Sequence, residues 1–256
     1  MILLRALHAE LLKIKRTIAL KMVVITPAIF VALILLIGWQ APFSFLRREG
    51  FDNAWLVLAN RHLTVWALLM LPLYITLQTA LIAGLDHSEN QWKSLLARPV
   101  PRWALYVTKL IFVTAITVAA TVVLLCGALL DGAILSRIQS EVVFAPPVPW
   151  VQIFRQGAQV VGLMFFGLVI QHWVSLRWRS FSIAFGIGLL ATVIGFMAVA
   201  AGRQFGGWPQ YFPFSLPMLA VFRSSQHLEA ILLISSCTGL VVAAVGCLDF
   251  CRREVQ

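Results

Sequence analysis

Apolar residues gather into six long stretches, and the polar residues between them come in short clusters. A hydrocarbon core about 30 Å thick takes roughly 20 helical residues at 1.5 Å rise per residue. Stretches of that length without ionised side chains fall at about 22–39, 63–85, 106–130, 157–176, 181–202 and 228–248. Lys109 is the one charge inside any of them, three residues from an end, where its ammonium can snorkel to the headgroups. The pattern predicts an all-α polytopic membrane protein with a single transmembrane domain over residues 1–256.

Ahead of the first stretch the period changes. Leu4, Leu7, Leu11, Ile14 and Ile18 recur at steps of 3, 4, 3 and 4, with Arg5, Lys13 and Arg16 on the other side. This predicts an amphipathic helix over residues 1–18, lying in the membrane interface with its cations toward anionic headgroups. Between the second and third stretches runs a polar connection, residues 86–102. Ser88 or Asn90 can cap a short helix there, and Pro99 and Pro101 end it after Arg98. Trp92, Leu95 and Leu96 share one face of that helix, which suits it to dock another protein; the alternative is that Trp92 and Trp103 are interfacial anchors. Two connections on the opposite side, 131–155 and 203–227, are rich in proline and aromatics and are expected to dip back into the interface or cover the mouth of the bundle.

Small residues mark two packing seams. Ala184, Gly188, Ala191, Gly195, Ala198 and Gly202 follow helical spacing in the fifth span, and Ser236, Gly239, Ala243 and Gly246 in the sixth. Such rows let backbones approach closely, against a helix of the same chain or of a second copy.

Composition narrows the class. The chain is 61% hydrophobic and only 12% charged, with a mean hydropathy of +0.90, which excludes an ordinary soluble domain and a disordered one. Its formal charge of +10 would suit nucleic acid, but the charges sort by side. With the N-terminus in the cytoplasm, 13 of the 20 basic residues and all five lysines fall inside, giving a net +8 inside against +2 outside. The positive-inside rule therefore explains the excess, both termini are cytoplasmic, and no nucleic-acid partner is implied. The first apolar run lacks a small-x-small cleavage site and reads as an uncleaved span. Cys126, Cys237, Cys247 and Cys251 give no disulfide framework, and Cys247 with Cys251, four residues apart, reads as packing rather than half a metal site.

Catalytic chemistry is missing from the pattern. Asp86, Asp131 and Glu229 fall at span ends, while the deeper polar groups, chiefly Gln78 and Gln159, are neutral, with Gln171 and His172 nearer the cytoplasmic end of the fourth span. No catalytic or metal-binding residues are assigned, and His172 reads as structural. With no ion relay and no Gly-x-x-x-x-Gly-Lys-Ser/Thr phosphate loop, any energy must come from a partner.

Three strings stand out: Glu10-Leu-Leu-Lys-Ile-Lys-Arg16 before span 1, Asn90-Gln-Trp-Lys-Ser-Leu-Leu-Ala-Arg-Pro-Val-Pro-Arg102 followed by Leu105-Tyr-Val-Thr-Lys-Leu110, and Phe212-Pro-Phe-Ser-Leu-Pro217 before the last span. With the six spans, they resemble the ABC-2 type permeases, and within them the lantibiotic-immunity group. The resemblance implies a permease subunit of the bacterial inner membrane. It would pair with a second, identical or related permease and with separate cytosolic ATPase subunits, which bind the ATP and Mg. The chain itself would be no enzyme and hold no cofactor. It also implies that 86–102 is a coupling loop, with Asp86, Glu89, Trp92, Lys93, Leu95, Leu96 and Arg102 meeting the ATPase. The expected cargo is amphipathic (a peptide, drug or lipid-like molecule), and the expected direction is export. A membrane scaffold that recruits a partner through the same loop but moves nothing is the alternative.

Overall fold

The computed structural model of the chain describes residues 2–15, 17–40, 53–88, 101–138, 147–178, 180–201, 211–222 and 227–252. All regular structure among them is helical. An N-terminal helix, α1 (Ile2–Ile14), leads into α2 (Ile18–Gln40), which is span 1. Span 2 is built from α3 (Ala54–Val65), a π-helical segment (Trp66–Met70) and α4 (Leu71–Ser88). Spans 3, 4 and 5 are α5 (Arg102–Ile138), α6 (Trp150–Arg177) and α7 (Phe181–Ala201); a short α8 (Pro217–Val221) precedes span 6, α9 (Leu228–Arg252).

Six of these segments are long and apolar enough to cross a membrane, but spans 2, 3 and 4 are longer than the uncharged stretches of the sequence. Span 2 begins at Ala54 instead of 63, and span 3 reaches Ile138 instead of 130. Asn60, Arg61, His62, Asp131 and Arg155 are polar without being helix breakers, so the helices run through them. Span 2 starts where Asn53, in an extended conformation, caps it by accepting from the Trp55 amide at 2.9 Å.

The π-helical segment has a local cause. Pro72 has no N–H to offer the carbonyl of Leu68, and just before it the Leu71 amide reaches back five residues to Trp66.

Spans 2, 3 and 4 form the centre of the bundle. Leu63, Trp66, Leu71 and Ile75 of span 2 are buried with Val113 and Leu124 of span 3 and Leu163 and Met164 of span 4. Spans 1, 5 and 6 lie outside them, on spans 3, 2 and 4 respectively, and keep bare apolar faces that include Ile29, Leu36, Leu190, Met197, Leu233 and Leu240. Such faces suit lipid. The proline- and aromatic-rich segment before span 6 does dip into the bundle: Phe214, Leu216, Met218 and Val221 are buried, and the backbone of Phe214 passes against Gly195, where a side chain would obstruct it.

Both ends of the described chain meet at one end of the bundle. Glu10 reaches Lys109 near the start of span 3, and Arg102 reaches the Cys251 carbonyl at the end of span 6.

A candidate coupling end and a polar ladder between spans 2 and 3

Of the residues assigned to coupling, Glu89, Trp92, Lys93, Leu95 and Leu96 lie outside the described residues. Asp86 belongs to the last turn of α4. Arg102 opens span 3, and its Nη1 donates to the Cys251 carbonyl at 3.2 Å, so the far side of the 86–102 connection is fastened to the end of the last helix.

Two turns further along span 3, Lys109 does not snorkel. Its Nζ lies 3.0 Å from Glu10 Oε2, and Lys13 sits 3.2 Å from the other oxygen of the same carboxylate. Glu10 and Lys109 are both buried. A lone ammonium in this position is costly, and the N-terminal helix brings it a counter-charge. That helix is consequently more than an interfacial float: Ile14 is buried with Glu10 against span 3, while Leu11 and Leu12 stay exposed. The sequence held a signal for the pair. Glu10 is the single acid in a basic segment, and Lys109 the single base in an apolar one.

Spans 4 and 6 are tied at the same end. Asp249 accepts from Trp173 Nε1 at 2.9 Å and from Arg177 at 3.2 Å. His172 is buried edge-on to Tyr106, with ring centroids 4.9 Å apart. Further in, the neutral groups seen in the sequence serve packing. Gln78 donates to the Ala19 carbonyl at 3.0 Å and Gln171 to the Ala184 carbonyl at 2.9 Å, while Gln159 is half-buried.

Several of the small residues face partners within this chain, while Gly202 lies outside the described residues. Ala184, Gly188, Gly195 and Ala198 are buried, and Ala191 is half-buried. Gly188 lies against Thr76 and Gln171, so closely that a side chain there would overlap both. In span 6, Gly239 meets Phe165 and Phe166, and Gly246 meets Tyr106 and Trp173; both glycines are buried, with Ser236 and Ala243 half-buried.

Polar contacts also join residues 62–74 of span 2 to residues 116–131 of span 3. Tyr74 Oη approaches the Ile116 carbonyl at 3.5 Å, Trp66 Nε1 donates to Thr121 at 3.2 Å, and His62 Nε2 lies 3.0 Å from Asp131 Oδ2. The last rung involves a residue that the sequence placed at a span end, where the helix in fact continues to Ile138. Asp131 is buried, and its partner His62 lies 69 residues away. Neither residue has a neighbour in sequence that announces the pairing.

Beside the ladder, spans 3, 4 and 6 bound an apolar groove of about 660 Å³ lined by Tyr106, Leu110, Ile111, Phe165, Leu240 and Cys247. A second hollow of about 410 Å³ shares Thr114 and Phe165 with it and continues toward Leu125 and Phe154. Walls of this kind accept hydrocarbon and reject small hydrated ions.

A family profile described as ABC-2 family transporter protein matches residues 6–197, three quarters of the chain. No curated protein and no solved structure matches. The matched stretch runs from the N-terminal helix into the last turns of span 5, so what it shares with the family includes the amphipathic entry and most of the spans. The chain belongs to the ABC-2 transporter family and is a multi-pass membrane protein of it.

Proposed function

We propose that this chain is the permease subunit of an exporter, moving an amphipathic molecule with ATP hydrolysed by separate cytosolic ATPase subunits, and pairing with a second permease. The observation that carries the reading is the arrangement of spans 2 and 3. They flank the 86–102 connection and are joined further along by polar rungs from Tyr74–Ile116 to His62–Asp131, so a push on that connection moves two central helices together. The end bearing the connection is the cytoplasmic one. Lys13, Lys15, Lys21 and Lys109 cluster there, as the positive-inside rule requires.

In this scheme Glu89, Trp92, Lys93, Leu95 and Leu96 contact the ATPase, with Asp86 and Arg102 at the two roots of the loop. Closure of the ATPase pair displaces the loop, and spans 2 and 3 carry the displacement outward. The apolar groove along spans 3, 4 and 6 supports a cargo with a hydrocarbon portion. The resemblance to lantibiotic-immunity permeases supports a peptide among the candidates.

The test replaces Trp92→Ala and Lys93→Glu together. The double variant is expected to insert normally but to lose co-purification with its ATPase and to drop efflux from vesicles at least tenfold. Unchanged co-purification and efflux would dismiss the coupling assignment.

A further inference from the structure

The groove of about 660 Å³ between spans 3 and 6 opens on the outside of the bundle, where Ile111, Ala115, Leu240 and Ala244 of its walls are exposed. Its length is that of half a bilayer. Along span 3 the lining runs from Tyr106 to Ala115, nine residues or about 14 Å, against about 15 Å for one leaflet of a hydrocarbon core about 30 Å thick. The leaflet is the one at the chain termini. Cys247, at the same end of the groove as Tyr106, lies two residues before Asp249, whose ion pair with Arg177 is partly exposed. Trp103 stands exposed one turn before Val107 of the groove wall. An interfacial tryptophan and an open ion pair place the headgroups just beyond Tyr106 and Cys247.

The polar rim at this end has two tiers. Arg102, half-buried at the start of span 3, has its Nη1 3.2 Å from the Cys251 carbonyl, which keeps the guanidinium between the ends of spans 3 and 6. Its planar fork carries five donors, so it can serve that carbonyl and a phosphate together. Arg252 follows on span 6, exposed. One turn deeper, about 6 Å along span 3, comes Tyr106. It is 1% exposed, its ring is held by His172 and Phe250 at centroid distances of 4.9 and 6.0 Å, and the lack of a side chain at Gly246 makes room for its hydroxyl. That hydroxyl has no hydrogen-bond partner among the described residues. A buried hydroxyl without a partner costs free energy, and an acceptor brought into the groove removes the cost.

Cations at headgroup level, a donor one turn deeper and an apolar channel one leaflet long follow the order of a phospholipid: phosphate, ester carbonyl, acyl chain. Two acids at this end are engaged elsewhere. Glu10 is held by Lys109 and Lys13, and Asp249, on the other side of span 6 from Cys247, by Trp173 and Arg177.

We infer that the groove is a binding site for an anionic diacyl phospholipid of the leaflet at the chain termini, with its phosphate at Arg102 and Arg252, an ester carbonyl at the Tyr106 hydroxyl and one acyl chain between spans 3 and 6. The inference goes beyond the proposed function and needs neither cargo nor ATPase. Basic pockets between membrane helices bind anionic headgroups in this way. A lipid so bound fastens the end of span 6 to the start of span 3, beside the root of the 86–102 connection.

The full chain alone suffices for the test. Native mass spectrometry from lipid nanodiscs holding equal amounts of phosphatidylglycerol and phosphatidylcholine, with the same acyl chains, is expected to show one retained lipid, with phosphatidylglycerol favoured about fivefold. Arg102→Gln, whose amide can still donate to the Cys251 carbonyl, should erase most of that preference. Tyr106→Phe removes a hydroxyl with no acceptor among the described residues, so it should leave the thermal midpoint in lipid-free detergent unchanged yet lower lipid retention about threefold. Equal retention of the two lipids by the wild type, or unchanged retention in both variants, would overturn the inference. A second measurement needs no variant. Phosphatidylglycerol carrying a diazirine at mid-chain should cross-link to span 3 near Leu110 and Thr114 and to span 6 near Leu240 and Ala244, in competition with unlabelled phosphatidylglycerol but not with phosphatidylcholine. Labelling spread evenly over spans 1 and 5 would overturn the site. Cross-links between two copies through Leu240 and Ala244 would do the same, by putting a second permease in the groove.

Discussion

Two buried polar pairs hold span 3, one near each end, and they solve the same problem differently. Near the termini Lys109 meets Glu10, with Lys13 as a second cation whose side chain is 26% exposed. In the other half His62 meets Asp131 with both side chains sealed. The first pair lies about 10 Å along the helix from Arg102, within reach of the interface if broken. The second lies as close to Ile138, about 10 Å along the helix, but its side chains are too short to use that distance. Reach, more than charge, decides what each pair is worth: the long side chain of a separated Lys109 can extend to headgroups and water, whereas the short side chain of Asp131, sealed by its neighbours, cannot.

Three substitutions grade that difference. His62→Ala should cost most, about 3–5 kcal/mol, because it strips Asp131 of its donor inside the bundle and leaves a cavity beside Phe30. Thermal unfolding in nanodiscs would measure it, and a cost below that of Glu10→Ala would invert the comparison. Glu10→Ala should cost about 1–3 kcal/mol by the same assay, since Lys109 retains a route to the headgroups, and the N-terminal helix should become more accessible to protease. Arg155→Ala, at an ion pair whose side chains are 67% and 82% exposed, should change the stability by no more than about 0.5 kcal/mol. A large effect there would mean that exposure is a poor guide to these pairs.

These pairs also mark where the sequence could be read and where it could not. Six spans, an amphipathic entry helix and a proline-rich segment folded back on the bundle are local in origin. Each follows from the period or composition of a single stretch, and the structure contains all three. Helix length was less legible, because searching for uncharged stretches stops at Lys, Arg or Asp, while the helix itself stops only at a breaker. The pairings themselves are hidden by distance along the chain, 99 residues for Glu10 and Lys109 and 69 for His62 and Asp131, although Glu10 and Lys109 each stand out in their own stretch. Asp131 looked like a loop residue because nothing near it shows that His62 comes to meet it. The 86–102 connection stands apart, since its character lies in its own residues, Trp92 and Lys93 above all.

The π-helical segment has a further consequence, in angular terms. A widened turn that takes up one extra residue turns everything beyond it by about 100° about the helix axis. In an unbroken α-helix Trp66 and Tyr74 would point about 80° apart, whereas the extra residue leaves them about 20° apart. That phase correction lets both rings address span 3, Trp66 at Thr121 and Tyr74 at Ile116. Shortening Trp66–Met70 by one residue would straighten the turn and keep the two halves of span 2 in phase, whereas adding a residue elsewhere in the helix would turn one half of the ladder away from its partner.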